Sequence, residues 1–95
     1  MKPEEPLYYN NKAAAYIEMG NFEKAHEELN RAEKLFEEGT VRDFVKKAKV
    51  YARRASLLAK ENKLKESVEW YERSLVEDGV QKVRDELKVV KRRLK

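Results

Sequence analysis

Lys46, Lys49 and Arg53 recur at i, i+3 and i+7, so in a helix all three project from one face. Cations so placed, with an amide donor beside them, can hold a carboxylate through several charge-assisted hydrogen bonds. A shift of 42 residues along the chain places Arg53 at the structural position of Asn11, which supplies that amide. In stacked helical hairpins the first helix of each pair lines the concave surface. Adjacent first helices lie about 10 Å apart. Asn11, Lys49 and Arg53 then converge on one anion, and a terminal carboxylate is the natural guest. The same stripe also reads as a solvated basic face, paired with Glu and Asp on neighbouring turns.

Other chemistry finds little support. His26 is the single histidine, and its neighbours Glu27 and Glu28 place it on the solvent side of a helix. Ser56, Ser67 and Ser74 lack a nucleophile-elbow context, and a lone histidine leaves little for a triad. No glycine-rich loop exists to cradle phosphate. The pairs Glu27-Glu28 and Glu37-Glu38 read as solvated carboxylates rather than metal ligands, with no ligating histidine near them. The chain has no cysteine, which excludes disulfides and thiolate metal sites. No catalytic residue, metal or cofactor is expected, and the chain is not read as an enzyme.

These side chains must be positioned by a small helical domain. The 95 residues suit one domain, and 41% hydrophobic residues give it a thin core. Charged residues make up 42%, with only three Gly and two Pro, a balance that favours helices throughout. The net charge of +4 arises from 22 basic residues interleaved with 18 acidic ones, as on solvated helix faces. Basic residues crowd the last helix at Lys82, Arg84, Lys88, Lys91, Arg92, Arg93 and Lys95. Asp85 and Glu86 interrupt that run and few aromatics are available for stacking, so neither nucleic acid nor membrane is an expected partner. No apolar run approaches the roughly 20 residues of a membrane span. The N-terminus lacks the apolar stretch of a secretory signal, so a cytoplasmic setting is the default.

The periodicity predicts five helices. Pro6 suits a first helical turn, and Tyr9, Ala13, Tyr16 and Ile17 form one apolar face before Gly20. Asn21 caps a second helix carrying Phe22, Ala25, Leu29, Ala32 and Phe36, which ends at Gly39. Thr40 followed by Asp43 has the spacing of a capping box and opens a long third helix to about Lys60. A fourth runs from about Lys63 to Glu77. After Asp78-Gly79 a fifth shows Val80, Val83, Leu87, Val90 and Leu94 on a single stripe. Short connections make neighbours antiparallel.

The 42-residue shift also pairs Tyr9 with Tyr51, Ala13 with Ala55, Ile17 with Ala59, Ala25 with Ser67 and Ala32 with Ser74. Small residues at these points let the helices of a hairpin approach closely. The pattern Ala13, Tyr16, Gly20, Ala25, Ala32 resembles the tetratricopeptide consensus, whose period is 34 residues. An insertion of eight, at Gly39 to Lys46, accounts for the longer shift and lengthens the third helix. The second unit has Leu58 and Asn62 where the consensus prefers Tyr and Gly. The resulting expectation is an all-α, right-handed α-solenoid of antiparallel hairpins in one domain over 1–95. It comprises a repeat at 6–39, a repeat at 40–78 with a lengthened first helix, and a capping helix at 80–94.

Asn11 to Tyr16 with Gly20, Ala48 to Arg53, and Trp70 to Leu75 together resemble the middle tetratricopeptide domain of the Hop/Sti co-chaperones, without its first helix pair. The resemblance covers the chain from about Leu7 onward, and Met1 to Pro6 is similar to the loop that follows the absent pair. It implies recognition of the acidic Met-Glu-Glu-Val-Asp tail of heat-shock protein 90, ahead of that of heat-shock protein 70. Asn11, Lys49 and Arg53 match three of the five members of that family's carboxylate clamp. Glu18 and Lys46 match peripheral peptide contacts, with Lys46 replacing a more usual neutral residue. The resemblance also implies that the outer face of helices one and two is uncovered, with Tyr8, Tyr9 and Phe22 on it. The alternative is a self-associating structural or engineered fragment, a helix-swapped homodimer through that face, with weak or no peptide binding.

Overall fold

Residues 4–95, those described by the computed structural model, form five α-helices: α1 (Pro6–Glu18), α2 (Phe22–Glu37), α3 (Phe44–Lys60), α4 (Leu64–Glu77) and α5 (Gln81–Arg93). α1 packs on α2, α3 on α4 and α4 on α5, while α3 also touches both helices of the first hairpin. This is the expected all-α arrangement of tetratricopeptide-type hairpins. Met1 to Pro3 of the expected leading loop lie outside the described residues. Glu5 and Pro6 already belong to the start of α1, where the Glu5 side chain accepts from the Leu7 N–H at 3.2 Å.

The turns repeat with the sequence. Gly20 closes α1 at φ 76°, and Asn62, its partner under the 42-residue shift, closes α3 at φ 63°. Asparagine is among the few non-glycine residues that tolerate this left-handed conformation. The same backbone bonds follow in each turn, Asn21 N–H to the Tyr16 carbonyl and Lys63 N–H to the Leu58 carbonyl, both at 2.8 Å.

The third helix departs from the expectation. Thr40 does not cap it. Gly39 adopts φ 74° and Val41 N–H bonds back to the Leu35 carbonyl, which holds this stretch in the α2 exit turn. Asp43 is the cap instead, accepting from Lys46 N–H at 3.0 Å. The insertion is therefore divided between the α2–α3 connection and one extra turn at the start of α3.

The core is continuous through the first repeat and into α3: Tyr9, Ala13, Ile17, Ala25, Leu29 and Ala32 meet Val50 and Leu57. A second cluster joins Ala55, Ala59 and Tyr71 to Val83, Leu87 and Val90 of α5. Where the second repeat substitutes serine for alanine, each buried hydroxyl finds a backbone acceptor on α3. Ser67 donates to the Ala55 carbonyl at 2.7 Å and Ser74 to that of Ala48 at 2.8 Å, offsetting the cost of burying a polar group.

The predicted uncovered face is corrected in two of its three members. Tyr9 is buried in the core and Phe22 packs against it, whereas Tyr8 is exposed. Tyr9 falls on the inward stripe with Ala13 and Ile17; Tyr8, one residue earlier, is turned by about 100°. No described helix is long and apolar enough to cross a membrane.

Candidate peptide-binding groove

Between α1, α3 and the start of α5 lies a groove of about 420 Å³. Its α3 wall is one helical face, because Val45, Lys49, Ala52, Arg53 and Ser56 recur at helical spacing. Leu7, Asn10 and Asn11 line it from α1. Asn11, Lys49 and Arg53, chosen from the sequence, thus share one groove. Among the described residues no ion pair joins Lys49 or Arg53 to a carboxylate. Two buried polar atoms have no hydrogen-bond partner there, Nε of Arg53 and Oδ1 of Asn10. Both residues line the groove. Buried polar groups are seldom left unsatisfied, so the groove offers an anion two cations, the Asn11 amide and an idle guanidinium N–H.

The peripheral pair is elsewhere. Neither Glu18 nor Lys46 lines the groove. Lys46 Nζ bonds Glu5 Oε2 at 2.8 Å, tying the start of α3 to the start of α1. That bond holds the Glu5 carboxyl below its usual range and the Lys46 ammonium above its own. Glu18 is exposed at the far end of α1, about 20 Å along the helix from Glu5 at 1.5 Å per residue.

The α5 side of the groove carries features that sequence reasoning passed over. Val80, Lys82, Val83 and Glu86 line it, with Asp78 before them. Glu86 Oε2 accepts from the Tyr71 hydroxyl at 3.0 Å. Burial, then the charge of Glu86, pushes the Tyr71 phenol far above its usual range. A signal did exist, since Glu86 sits between Val83 and Leu87 beside the apolar stripe of α5, where a carboxylate needs a partner.

Behind the groove, α3 is fixed to α2 by Arg54. Its guanidinium donates to Glu33 Oε2 at 2.6 Å, to Asn30 Oδ1 at 2.6 Å and to His26 Nδ1 at 3.0 Å. His26 Nε2 lies 2.6 Å from Glu61 Oε1. Arginine only donates, so Nδ1 is the acceptor and the ring proton sits on Nε2, facing Glu61. This corrects the solvent-side placement of His26, which is half-buried and bridges the two repeats. Glu28 is corrected likewise: it is buried and bonded to Arg31, and lies 3.4 Å from Lys12 on α1. Among the described residues no group of three His, Cys, Asp or Glu side chains is placed to hold a metal ion.

Family models described as tetratricopeptide repeat match residues 6–38 and 48–75, together well over half of the chain. The chain belongs to the tetratricopeptide-repeat proteins. The two matches fall on the two hairpins and do not extend to α5. Over 94 residues the chain is 36% identical to the Hsp70-Hsp90 organising protein of Plasmodium falciparum (isolate 3D7), covering 98% of itself and 16% of that protein. The N-terminal domain of stress-induced protein-1 from C. elegans superposes with a TM-score of 0.79 at 29% identity, over 95% of this chain and 70% of that one. This tetratricopeptide domain is therefore related to a Hop/Sti co-chaperone N-terminal domain, whereas the sequence resemblance pointed to the middle one.

Proposed function

We propose that this domain is a co-chaperone interaction module that holds the acidic Met-Glu-Glu-Val-Asp tail of heat-shock protein 90, in preference to that of heat-shock protein 70. The observation that carries the reading is the grouping of Asn11, Lys49 and Arg53 in one groove with no carboxylate partner among the described residues. The terminal carboxylate lies against them and accepts from the amide, the ammonium and the guanidinium, half of a clamp compared with the five-membered one of the family. Each charge-assisted bond contributes about 1.5–3 kcal/mol. The similarity to an Hsp70-Hsp90 organising protein supports this class of partner without choosing between the two chaperones.

Calorimetric titration with Met-Glu-Glu-Val-Asp as the free acid and as the C-terminal amide tests the reading. The free acid binds, the amide does not, and Arg53→Ala weakens the free acid by at least about tenfold, the lower bound of one such bond. If a folded domain takes neither peptide, the clamp reading fails and the self-associating one replaces it. That reading predicts a mass rising above 11.3 kDa with concentration in light scattering, with Tyr8 at the contact.

A further inference from the structure

Resting on the clamp reading, we infer that Glu86 is a charge filter on the α5 wall of the groove, admitting C-terminal peptides whose residue beside α5 is uncharged. Three observations carry this. Glu86 lines the same groove as Lys49 and Arg53, yet among the described residues it forms an ion pair with neither. Its carboxylate is fixed by the Tyr71 hydroxyl, and Tyr71 is itself locked in the cluster with Ala55, Val83 and Leu87. A charge held by a rigid support cannot swing into solvent to make room for a like charge. Asp78 adds a second carboxylate to that wall, while Val80 and Val83 between them offer aliphatic contact.

The groove is therefore polarised across its width. Cations on α3 face the guest's terminus; on the α5 wall the carboxylates Asp78 and Glu86, set among valines, outnumber the one cation, Lys82, whose exposed side chain is free to turn into solvent. Like charge placed against the wrong guest is one of the two ways an interface gains specificity. With the terminal residue on Asn11, Lys49 and Arg53, its immediate neighbour is the nearest side chain able to reach α5. The ligand class is a free C-terminus preceded by an aliphatic residue. Acidic residues further back fit only where the chain has turned away from α5.

The experiment compares Met-Glu-Glu-Val-Asp with Met-Glu-Glu-Glu-Asp by calorimetry, on the unmodified domain and on Glu86→Gln. Glutamine keeps an acceptor for the Tyr71 hydroxyl, so the thermal midpoint is preserved and only the charge is lost. The unmodified domain prefers the valine peptide by at least about tenfold, and Glu86→Gln reduces that preference about fivefold at low salt. Fivefold is the Boltzmann weight of unit charges roughly 8 Å apart at an effective dielectric of about 40. In 0.5 M salt, where the screening length is about 4 Å, the effect of the substitution falls below about twofold. Asp78→Asn, which touches no part of the Tyr71 contact, shifts the preference in the same direction. Preference for valine unchanged by both variants overturns the filter while leaving the clamp intact. Failure of the unmodified domain to tell free acid from amide overturns the clamp itself.

Discussion

Replacing Arg54 by methionine strands a carboxylate, and the consequence can be worked from the contacts it makes. Methionine keeps the aliphatic stem but removes the donors to Glu33, Asn30 and His26, together with the cation lying 5.4 Å from the Trp70 ring centroid. The Arg54 and Glu33 side chains are 11% and 16% exposed. A fully buried pair broken on one side costs about 3–5 kcal/mol, and partial solvent access lowers this to about 2–4 kcal/mol. A domain of this length has on the order of 5–14 kcal/mol in total, so the urea midpoint should fall by about 1–2 M. The pH dependence is the sharper signature. Burial already holds the Glu33 carboxyl above its usual value, with the attraction of Arg54 opposing it. A carboxyl raised in the folded state stabilises the fold most below its unfolded value, and that contribution is lost as pH rises through the folded value. Without Arg54 the burial penalty stands unopposed, so Arg54→Met loses most at pH 7 and recovers part of the deficit by pH 5. Urea unfolding followed by circular dichroism at both pH values, with Glu33→Gln added to the variant, reads this out. Glutamine at 33 should restore most of the loss at pH 7 and flatten the pH response, separating Glu33 from His26. Equal deficits at both pH values, with no rescue, would show that lost packing on Trp70 rather than a stranded charge explains the variant.

Tyr71 makes an alkaline prediction. Its phenol is raised above the ordinary 10.0 by burial and by Glu86, so its contribution is complete below pH 10 and is lost as pH rises beyond it. Tyr71→Phe should remove that part of the alkaline loss, seen as a shallower fall of the thermal midpoint between pH 9 and 11; an unchanged slope refutes the assignment. At the α3–α4 turn, Asn62→Ala should lower the thermal midpoint by about 4–8 °C, the equivalent of about 1 kcal/mol of left-handed backbone strain. Asn62→Gly should hold or raise it, as Gly20 does the same task in the first repeat. Equal midpoints for the two substitutions would remove strain as the cause.

Much of this architecture was legible because it is written locally. The small and aromatic positions that coincide under the 42-residue shift, from Ala13 with Ala55 to Ala32 with Ser74, are the buried contacts within and between hairpins. That Asn11, Lys49 and Arg53 share one groove followed the same way, since a repeat converts sequence spacing into spatial neighbourhood. What escaped was tertiary. His26 meets Glu61 across 35 positions and Arg54 across 28, and neither separation is one that the 42-residue repeat generates. Thr40 with Asp43 reads by sequence as a capping box that opens α3, but the backbone bond from Val41 to Leu35 keeps Thr40 in the turn that ends α2, and Asp43 is the cap. Glu86 was seen only as an interruption of a basic run, because its importance lies in the Tyr71 hydroxyl on another helix.

Arg53 and Arg54 are neighbours in sequence with opposite duties, and that connects stability to recognition. Consecutive residues of a helix point about 100° apart, so Arg53 faces the groove while Arg54 faces α2. The proposed clamp needs Asn11 on α1 and Lys49 with Arg53 on α3, which line one groove, at a fixed separation. α1 is carried by α2, and Arg54 grips α2 at three side chains. Beside the direct packing of α1 on α3 and the Glu5–Lys46 bond, Arg54 thus helps to set the angle between the repeats from the back of α3, and in the clamp reading the span of the clamp with it. Arg54→Met should therefore weaken binding of the free-acid peptide by several-fold in a domain that is still folded at low temperature, although Arg54 lines no part of the groove. A 1 Å change in placement is enough to lose the geometry of charge-assisted bonds. Adding Glu33→Gln should restore stability by removing the stranded charge, but not the lost grip, so binding should stay weak. Recovery of affinity together with stability would mean that Arg54 supports the fold alone and leaves the clamp to the helices themselves.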